Sequence, residues 1–493
     1  MQGQGARTIS LSGSSGARLA LAVGAARLAR AGSRLLRRGG GSTFPGIIAR
    51  RIEPESLLTL AARLPQGVVV VAGTNGKTTT SRMLAAILRQ AGLTPLHNRE
   101  GANLLSGVTA TLVTHSSLLG VPHGDIGLFE VDEASLPAVV RQVQPRVALL
   151  LNLFRDQLDR YGELDYLAAL WRASLFPLPG TAPAEAAVSK QELGGGMPTI
   201  VINSDDPGLA VLGEGAEHVI WYGINDTSGG AGALSHASDA LFCTCGTPLA
   251  YDAVLYAHLG HWRCPTCGRQ RPRPSVSATD IRFDGLTATR FQLNLPGGTA
   301  NITIPLPGLY NVGNAVAAAA AATALGLSAS AIVAGLAAAS AAFGRLERVG
   351  VGGQELVLWL VKNPAGFNEA LRTLVGQRGD KTLVIAINDR IADGQDVSWL
   401  WDVDFETLAA PESGIAHIVC AGSRAHDMAV RLKYAGFPQE RQSTRVLPLA
   451  AVQRGRELAT PAAPLYVFPT YTAMLDLRAG FRKLGWVGPT WED

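Results

Sequence analysis

Three things are scarce in this 493-residue chain, and each scarcity narrows what it can be. Its five cysteines are too few for a secreted disulfide scaffold. No uninterrupted apolar run reaches membrane-spanning length, because arginines break the best candidate near the start. Acids are missing from residues 1–52, which carry nine arginines. The net charge of +4 is small for this size and does not by itself argue for nucleic acid. Within the opening segment Arg18, Arg27, Arg30, Arg34, Arg37 and Arg38 interleave with Leu and Ala. That pattern fits either a solvated extension or a basic helix resting on an anionic membrane surface. No secretory cleavage pattern accompanies it, so the expected location is the cytoplasm, with a peripheral place at the inner membrane face as the alternative. Hydrophobic residues make up 47% and charged ones 17%, enough for more than one core, and the length suits about three domains.

The most informative stretch is Val68-Val-Val-Val-Ala-Gly-Thr-Asn-Gly-Lys-Thr-Thr-Thr80. Four β-branched residues read as a buried parallel strand, a glycine-rich turn follows, and a helical stretch runs from Ser81 to Gln90. Gly73, Thr74, Asn75, Gly76, Lys77, Thr78 and Thr79 form a shortened phosphate-binding loop. Glycines let backbone N–H groups close round phosphate oxygens, and the helix N-terminus adds partial positive charge. Lys77 can reach the β- and γ-phosphates, and the Thr78 hydroxyl can ligate Mg²⁺. The expected ligand is ATP or a close relative.

Four of the cysteines cluster as Cys243-x-Cys245 and Cys264-x-x-Cys267, separated by 18 residues. Two such pairs suit a tetrahedral Cys₄ zinc ribbon, although a single residue between Cys243 and Cys245 strains the first knuckle. His258 and His261 lie between the pairs and read as decoration of the ribbon. With four thiolates no position is open for water, which points to structural zinc. Cys420 ends an apolar run and reads as a buried strand residue.

Short apolar runs at Val68–Ala72, Asp125–Val131, Val147–Asn152, Thr199–Asn203 and His218–Tyr222 alternate with helical patterns, which implies a mostly parallel sheet. Residues 223–275 break the pattern as an insertion, and strand-like alternation returns from Ile281 to Leu306. An alanine-rich helix (Ala315–Leu325) follows, explained by tight packing. A second α/β unit begins near Glu347, with strands at Glu355–Val361, Thr382–Ile387, Ile415–Cys420 and Leu465–Phe468. It has no second phosphate loop and is expected to dock against the first unit and close a cleft. The expected class is α/β. A basic extension (1–46) leads into a P-loop ATPase domain (47–345) with the zinc ribbon inserted at about 223–280, and a second α/β domain (346–493) follows.

Several segments in order resemble the Mur ligases, ATP-dependent amide-forming enzymes. They are Gly73-Thr-Asn-Gly-Lys-Thr-Thr79, Asn203-Ser-Asp-Asp-Pro207, Gly308-Leu-Tyr-Asn-Val-Gly-Asn314 and Phe343-Gly-Arg-Leu-Glu347. Asn98-Arg-Glu-Gly-Ala-Asn103, Asn152-Leu-Phe-Arg-Asp-Gln-Leu-Asp-Arg-Tyr-Gly162, Lys362-Asn-Pro-Ala-Gly-Phe-Asn368 and Asp393-Gly-Gln-Asp-Val-Ser-Trp399 are more specific. Together with the cysteine ribbon they resemble the MurT family, the ligase-like subunits of lipid II isoglutaminyl synthase. The resemblance spans roughly residues 45–480.

It implies transfer of the ATP γ-phosphoryl group to the D-glutamate α-carboxylate of lipid II, giving an acyl phosphate that ammonia converts to the amide. It also implies that Glu130 holds Mg²⁺, that Asn203 and Asn314 face the nucleotide, and that Arg345 reaches its phosphates. Three positions depart from the Mur pattern. Tyr310 stands where a His is usual, Ala168-Ala-Leu-Trp171 lacks the carbamylated lysine, and the last domain lacks a set of residues for gripping an amino acid. The last departure suits ammonia as the nucleophile. Ammonia is scarce as NH₃ near neutral pH, and Cys420 lacks a nucleophile turn, so a separate GatD-like glutaminase is the expected partner in a heterodimer. In the MurT family the residue matching Asp396 is thought to complete the partner's Cys-His pair, while the local alternative is a helix cap. An amino-acid-adding ligase of the Mur or folylpolyglutamate type is the alternative activity. A nucleic-acid surface built on Trp262, Arg263, Arg269, Arg271 and Arg273 is the reading from another class, and nucleic acid is not an expected partner.

Overall fold

The computed structural model describes residues 13–35, 43–98, 101–155, 164–176, 197–339, 345–461 and 463–488. The first helices are α1 (Gly13–Leu35), α2 (Phe44–Ile52), α3 (Ser56–Ala61), α4 (Lys77–Gln90) and α5 (Leu105–Thr114). The early strands are β1 (Val68–Ala72), β2 (Pro95–His97), β3 (Ile126–Val131), β4 (Val147–Leu150), β5 (Thr199–Asn203) and β6 (Val219–Ile224). A separate hairpin holds β7 (Ala250–Tyr256) and β8 (Leu259–Arg263). Three longer strands return to the large sheet: β9 (Val276–Asp284), β10 (Ala288–Leu295) and β11 (Gly298–Ile304). The resulting nine-stranded order is β11-β10-β9-β6-β5-β4-β1-β3-β2. The pairs from β6 to β2 are parallel and the β9–β11 end is antiparallel.

Strand alternation explains why this sheet needs apolar residues throughout its centre. Val69 and Val71 of β1 enter one core cluster, while Val68, Val70 and Ala72 enter the other on the opposite face. β4 divides the same way, with Val147 and Leu149 on one side and Ala148 and Leu150 on the other. The helix Leu309–Ala324 packs against α4, and alanines 317 to 322 are fully buried there. A Cβ at Gly335, in the neighbouring helix Ala329–Ala337, would come within 2.3 Å of the Ile87 Cα, so backbones approach too closely for larger residues.

The second sheet contains β12 (Arg345–Val351), β13 (Gln354–Trp359), β14 (Lys381–Ala386), β15 (Ile415–Ala421), β16 (Gln442–Thr444) and β17 (Leu465–Pro469). Its order is β12-β13-β17-β14-β15-β16, parallel except for the β12–β13 hairpin. Leu383 and Ile385 face one core and Val384 and Ala386 the other.

Three expectations need correction. α4 begins at Lys77, not Ser81, because Gly76 adopts φ 87° and turns the chain into the helix at once. The alanine-rich helix begins at Leu309, which places Asn311 and Asn314 in its first turns. The basic start is not a separate extension ending at residue 46. Leu19, Ala22, Val23 and Ala26 of α1 join the same buried cluster as β1, so α1 belongs to the first domain's core. β12 is an additional strand, closed onto β13 by Gly352 and Gly353 in left-handed conformations.

Candidate active site and metal centre

The glycine-rich loop forms where β1 ends. Gly73 adopts φ 145°, and a Cβ there would lie 2.8 Å from Leu151 Cβ. At Gly76 a Cβ would come within 2.2 Å of Asn314 Oδ1. Glycine is therefore required at both positions, and Asn314 lies against the loop at Gly76. Thr80 donates to Asn314 Oδ1 at 3.3 Å, and Asn314 donates to Asn311 at 3.3 Å. Asn152 clamps the loop from the next strand, accepting from the Asn75 N–H at 2.8 Å and donating to the Asn75 carbonyl at 3.0 Å. Thr74 exchanges hydrogen bonds with the Phe154 backbone at 3.0 and 3.1 Å.

The acids arrive through register. β3 lies beside β1 with Glu130 opposite Val71, so its carboxylate stands next to the loop that follows Ala72. Thr78 donates to Glu130 Oε2 at 2.9 Å, and Lys77 donates to Glu133 Oε1 at 2.9 Å and to the Gly73 carbonyl. Glu130 is itself fixed by Asn98, which accepts from its backbone N–H and donates to its carbonyl. The buried Glu130 Oε1 makes no hydrogen bond and lies 3.3 Å from His97 Nε2. A hydroxyl and a carboxylate with one buried, unbonded oxygen are a donor set that fits Mg²⁺. Trp171, at the segment where Mur ligases carry the carbamylated lysine, is fully buried and donates to the Glu133 carbonyl at 2.8 Å.

The second domain closes over this loop. Asn363 caps the helix Pro364–Val375 by accepting from Gly366 N, and its amide also exchanges hydrogen bonds with Asn75 at 2.8 and 3.3 Å. A cleft of about 750 Å³, open solvent included, lies between the domains. Asn75, Gly76, Thr79 and Asn314 line it from the first domain, and Trp359, Gly366 and Glu369 from the second. Tyr310, the departure from the usual His, is part of its wall. Burial raises the Glu369 carboxyl above its usual range, partly offset by Arg372 at 2.6 Å. Asn203 is buried and bonded to the Leu151 carbonyl and the Asp205 N–H, so its contacts are local. The side chain of Arg345 and residues 99–100, 156–162 and 343–344 of the quoted segments lie outside the described residues.

In the ribbon all four cysteine sulfurs lie within 4.8 Å of one another. Cys243 and Cys267 are 3.6 Å apart and Cys245 and Cys264 are 3.5 Å apart, against about 3.8 Å for thiolates tetrahedrally bound to zinc. The short first knuckle works because Gly246 adopts φ 85°, matching Gly268 at φ 73° in the second. Hydrogen bonding with Thr247 lowers the Cys245 thiol to about 6. At Cys267 the lowering backbone bond with Arg269 is outweighed by the neighbouring thiols, Cys264 first, which raise it to about 11. The fit to a metal therefore rests on the geometry. These donors fit zinc.

His258 and His261 hold the ribbon to the domain. His258 is fully buried, accepts from the Asp239 N–H and packs on Phe154 at 4.7 Å, while His261 bonds the Ile224 carbonyl. Trp262 is buried and donates to the Ser204 carbonyl. Arg263, Arg269 and Arg271 pair with Asp252, Glu214 and Asp205. Arg263 and Arg273 are exposed, but a nucleic-acid face would also need the Trp262 ring, which is buried, turned outward.

In the second domain Asp396 is exposed and accepts from the Ser398 N–H at 2.8 Å and hydroxyl at 2.9 Å, a local Asx-type turn ahead of the short helical turn Ser398–Asp402. Those bonds lower its carboxyl below the usual range. Asp393 is a buried anchor, accepting from the Thr472 N–H and hydroxyl. Cys420 is fully buried in β15, and burial pushes its thiol up to about 12.

Sequence reasoning left Asn152 and Asn363 without roles, although both stood in the quoted segments. Asn363 before Pro364 signals a helix cap, but nothing local announces its second partner 288 residues away.

The sequence matches the family model described as Mur ligase middle domain over residues 71–176, and that described as MurT ligase C-terminal over 360–474. It is 32% identical over 417 residues to "Lipid II isoglutaminyl synthase (glutamine-hydrolyzing) subunit MurT" of Staphylococcus aureus, covering 84% of this chain and 87% of that one. The Streptococcus pneumoniae protein of the same name is 33% identical over 446 residues, covering 90% and 93%. Among solved structures, a pseudomurein peptide ligase type C from Methanothermus fervidus aligns with TM-score 0.64 and 21% identity, covering 87% of this chain and 81% of the other. MurF from Acinetobacter baumannii aligns with TM-score 0.59 and 22% identity, covering 86% and 80%. These last two show a shared fold.

Proposed function

Because this chain belongs to the MurT family of Mur ligases, we propose that it amidates the α-carboxylate of D-glutamate in lipid II, consuming ATP, as the ligase subunit of a glutamine-using complex. The observation that carries the reading is the Asn75–Asn363 bridge. It joins the phosphate loop of the Mur middle domain to the MurT-type C-terminal segment at the mouth of one cleft.

A carboxylate does not react with ammonia, because its oxygens are poor leaving groups. Phosphorylation to an acyl phosphate supplies a good one. The chain's part is positioning and charge neutralisation. The loop N–H groups of residues 73–79 would surround the phosphates, and Lys77 would exchange Glu133 for phosphate oxygens. Thr78 and Glu130 would hold Mg²⁺, which neutralises charge on the β- and γ-phosphates when bound. Asn203, Asn314 and Arg345 are assigned to the nucleotide by family likeness, Asn314 with the further support of its contact at Gly76. Cys243, Cys245, Cys264 and Cys267 would hold a structural zinc that contributes folding energy to the ribbon.

Ammonia would come from a GatD-like glutaminase chain. Cys420, buried and held as the thiol, is unsuited to be the nucleophile for glutamine. Asp396 is the proposed contribution to that partner. Its exposure leaves it accessible, and its lowered carboxyl range keeps it charged, as orienting a partner imidazole requires.

The test is reconstitution with a separately purified glutaminase and lipid II, reading the amide product by mass spectrometry. Ammonium-driven product should need this chain alone, and glutamine-driven product both chains. Incorporation of an amino acid in place of ammonia would move the assignment to an amino-acid-adding ligase. Glutamine hydrolysis by this chain alone would remove the need for a partner.

A further inference from the structure

Helix α1 is apolar on two opposite faces. Leu19, Ala22, Val23 and Ala26 face the core. At the complementary spacing, Ala17, Leu21, Gly24, Leu28 and Ala31 point away from it, with Leu21 63% and Leu28 76% exposed. A surface helix normally turns its charged side to water, and here the outward stripe carries no charge at all. A second element widens it. The loop after α5 brings Leu118 beside Gly24, close enough that a Cβ on the glycine would touch it at 3.8 Å. Beyond it Leu119 is 80% exposed and Val121 is exposed as well.

Cations hold and border this patch. Arg63 donates to the Leu119 and Gly120 carbonyls at 2.8 and 2.7 Å, and Arg27 donates to the Ser116 carbonyl. Arg18 is exposed along one flank of the stripe. Arg18, Arg27 and Arg63 thus set charge of one sign along the edge of the leucines. A second copy would bring arginines against arginines, whereas an anionic bilayer supplies both the apolar layer and the opposite charge. None of the described helices is long and apolar enough to cross a membrane.

We propose that α1 and the Leu118–Val121 loop form a membrane-docking surface that lies in the interface of an anionic bilayer, with the leucines inserted and the arginines at the headgroups. This surface is separate from the nucleotide cleft and does not depend on the assigned reaction.

The test is co-sedimentation of the full chain with phosphatidylcholine vesicles made with and without phosphatidylglycerol. The full chain should bind the anionic vesicles, less at high salt, and leave neutral ones in solution. The double variant Leu21→Gln, Leu28→Gln should lower the bound fraction at least about tenfold, and Arg18→Gln should lower it less while flattening the salt dependence. All the altered side chains are exposed, so thermal unfolding should be unchanged. If the double variant unfolds, Leu119→Ser on the separate loop must produce the loss instead. Absence of phosphatidylglycerol-dependent binding, or undiminished binding by folded variants, overturns the proposal. So does a wild-type dimer, seen by light scattering, that the leucine variants convert to monomer, since a second copy would then cover the face.

Discussion

The chain's two mostly parallel sheets end in two different kinds of polar loop. At the end of β1, glycines with left-handed or extended backbone expose N–H groups, and Lys77 stands at the helix start. At the end of β14, in the middle of the second sheet, the loop carries Asp389, Asp393 and Asp396 and is tied down by side-chain bonds to Ser423, Thr472 and Ser398. Both use the crevice at the carboxyl ends of parallel strands. The first gathers donors and suits an anion. The second presents the Asp396 carboxylate outward, the group proposed above to meet a partner imidazole. One architecture thus yields opposite electrostatic character through a few loop residues.

The strongest way to break this comparison is Lys77→Ala. ATP-dependent amidation should fall by at least about a thousandfold with the fold intact, measured as product formation beside a circular dichroism melt. Near-normal turnover would show that the donor-rich loop is not the phosphate site.

Asp396→Asn addresses the other loop. In the reconstituted complex, glutamine-driven amidation should drop by roughly a hundredfold or more while ammonium-driven amidation persists. Equal loss with both nitrogen sources would place Asp396 in the ligase reaction or the fold. Its own effect on stability should stay within about 1 kcal/mol, the scale of a lost local hydrogen bond. Because its folded carboxyl is lowered, that contribution is present above the ordinary aspartate range and fades as pH falls through the lowered value.

Metal removal separates the ribbon from both sheets. Chelation should raise hydrogen exchange across β7 and β8 while β1, β4 and β14 stay protected, since the ribbon is the only one of these regions organised around the thiolates. Unchanged exchange in β7 and β8 after confirmed metal loss would mean that the ribbon folds on its own packing.

The smallest effect is expected at the seam. Asn363→Ala removes one bridge to Asn75 and one cap, and should raise the KM for ATP several-fold with a smaller change in kcat. A large loss of kcat with KM unchanged would assign Asn363 to the reacting groups instead.

Much of the fold could be read ahead of the structure because its signals are local. β1 and β5 fall where the apolar runs put them, and the cysteine spacing marked the ribbon. The error at the start of α4 came from reading Lys77-Thr-Thr-Thr80 as turn, although Gly76 alone completes the turn. At the start of the chain, interleaved Arg, Leu and Ala do not reveal in sequence which leucines find a core.

By itself, the sequence determined the glycine-rich loop, the cysteine cluster, the α/β class and the family, since each resides in short windows or in ordered segments. Only the tertiary structure decided which acid meets which partner: Glu130 with Thr78, Glu133 with Lys77, and Asn75 with Asn363 across 288 positions. It also turned His258 into a buried strut and left Leu21 and Leu28 facing outward. The reason is physical. A backbone turn is set by the torsional preferences of its own few residues, whereas a long-range pairing depends on strand register and on how separately formed layers pack.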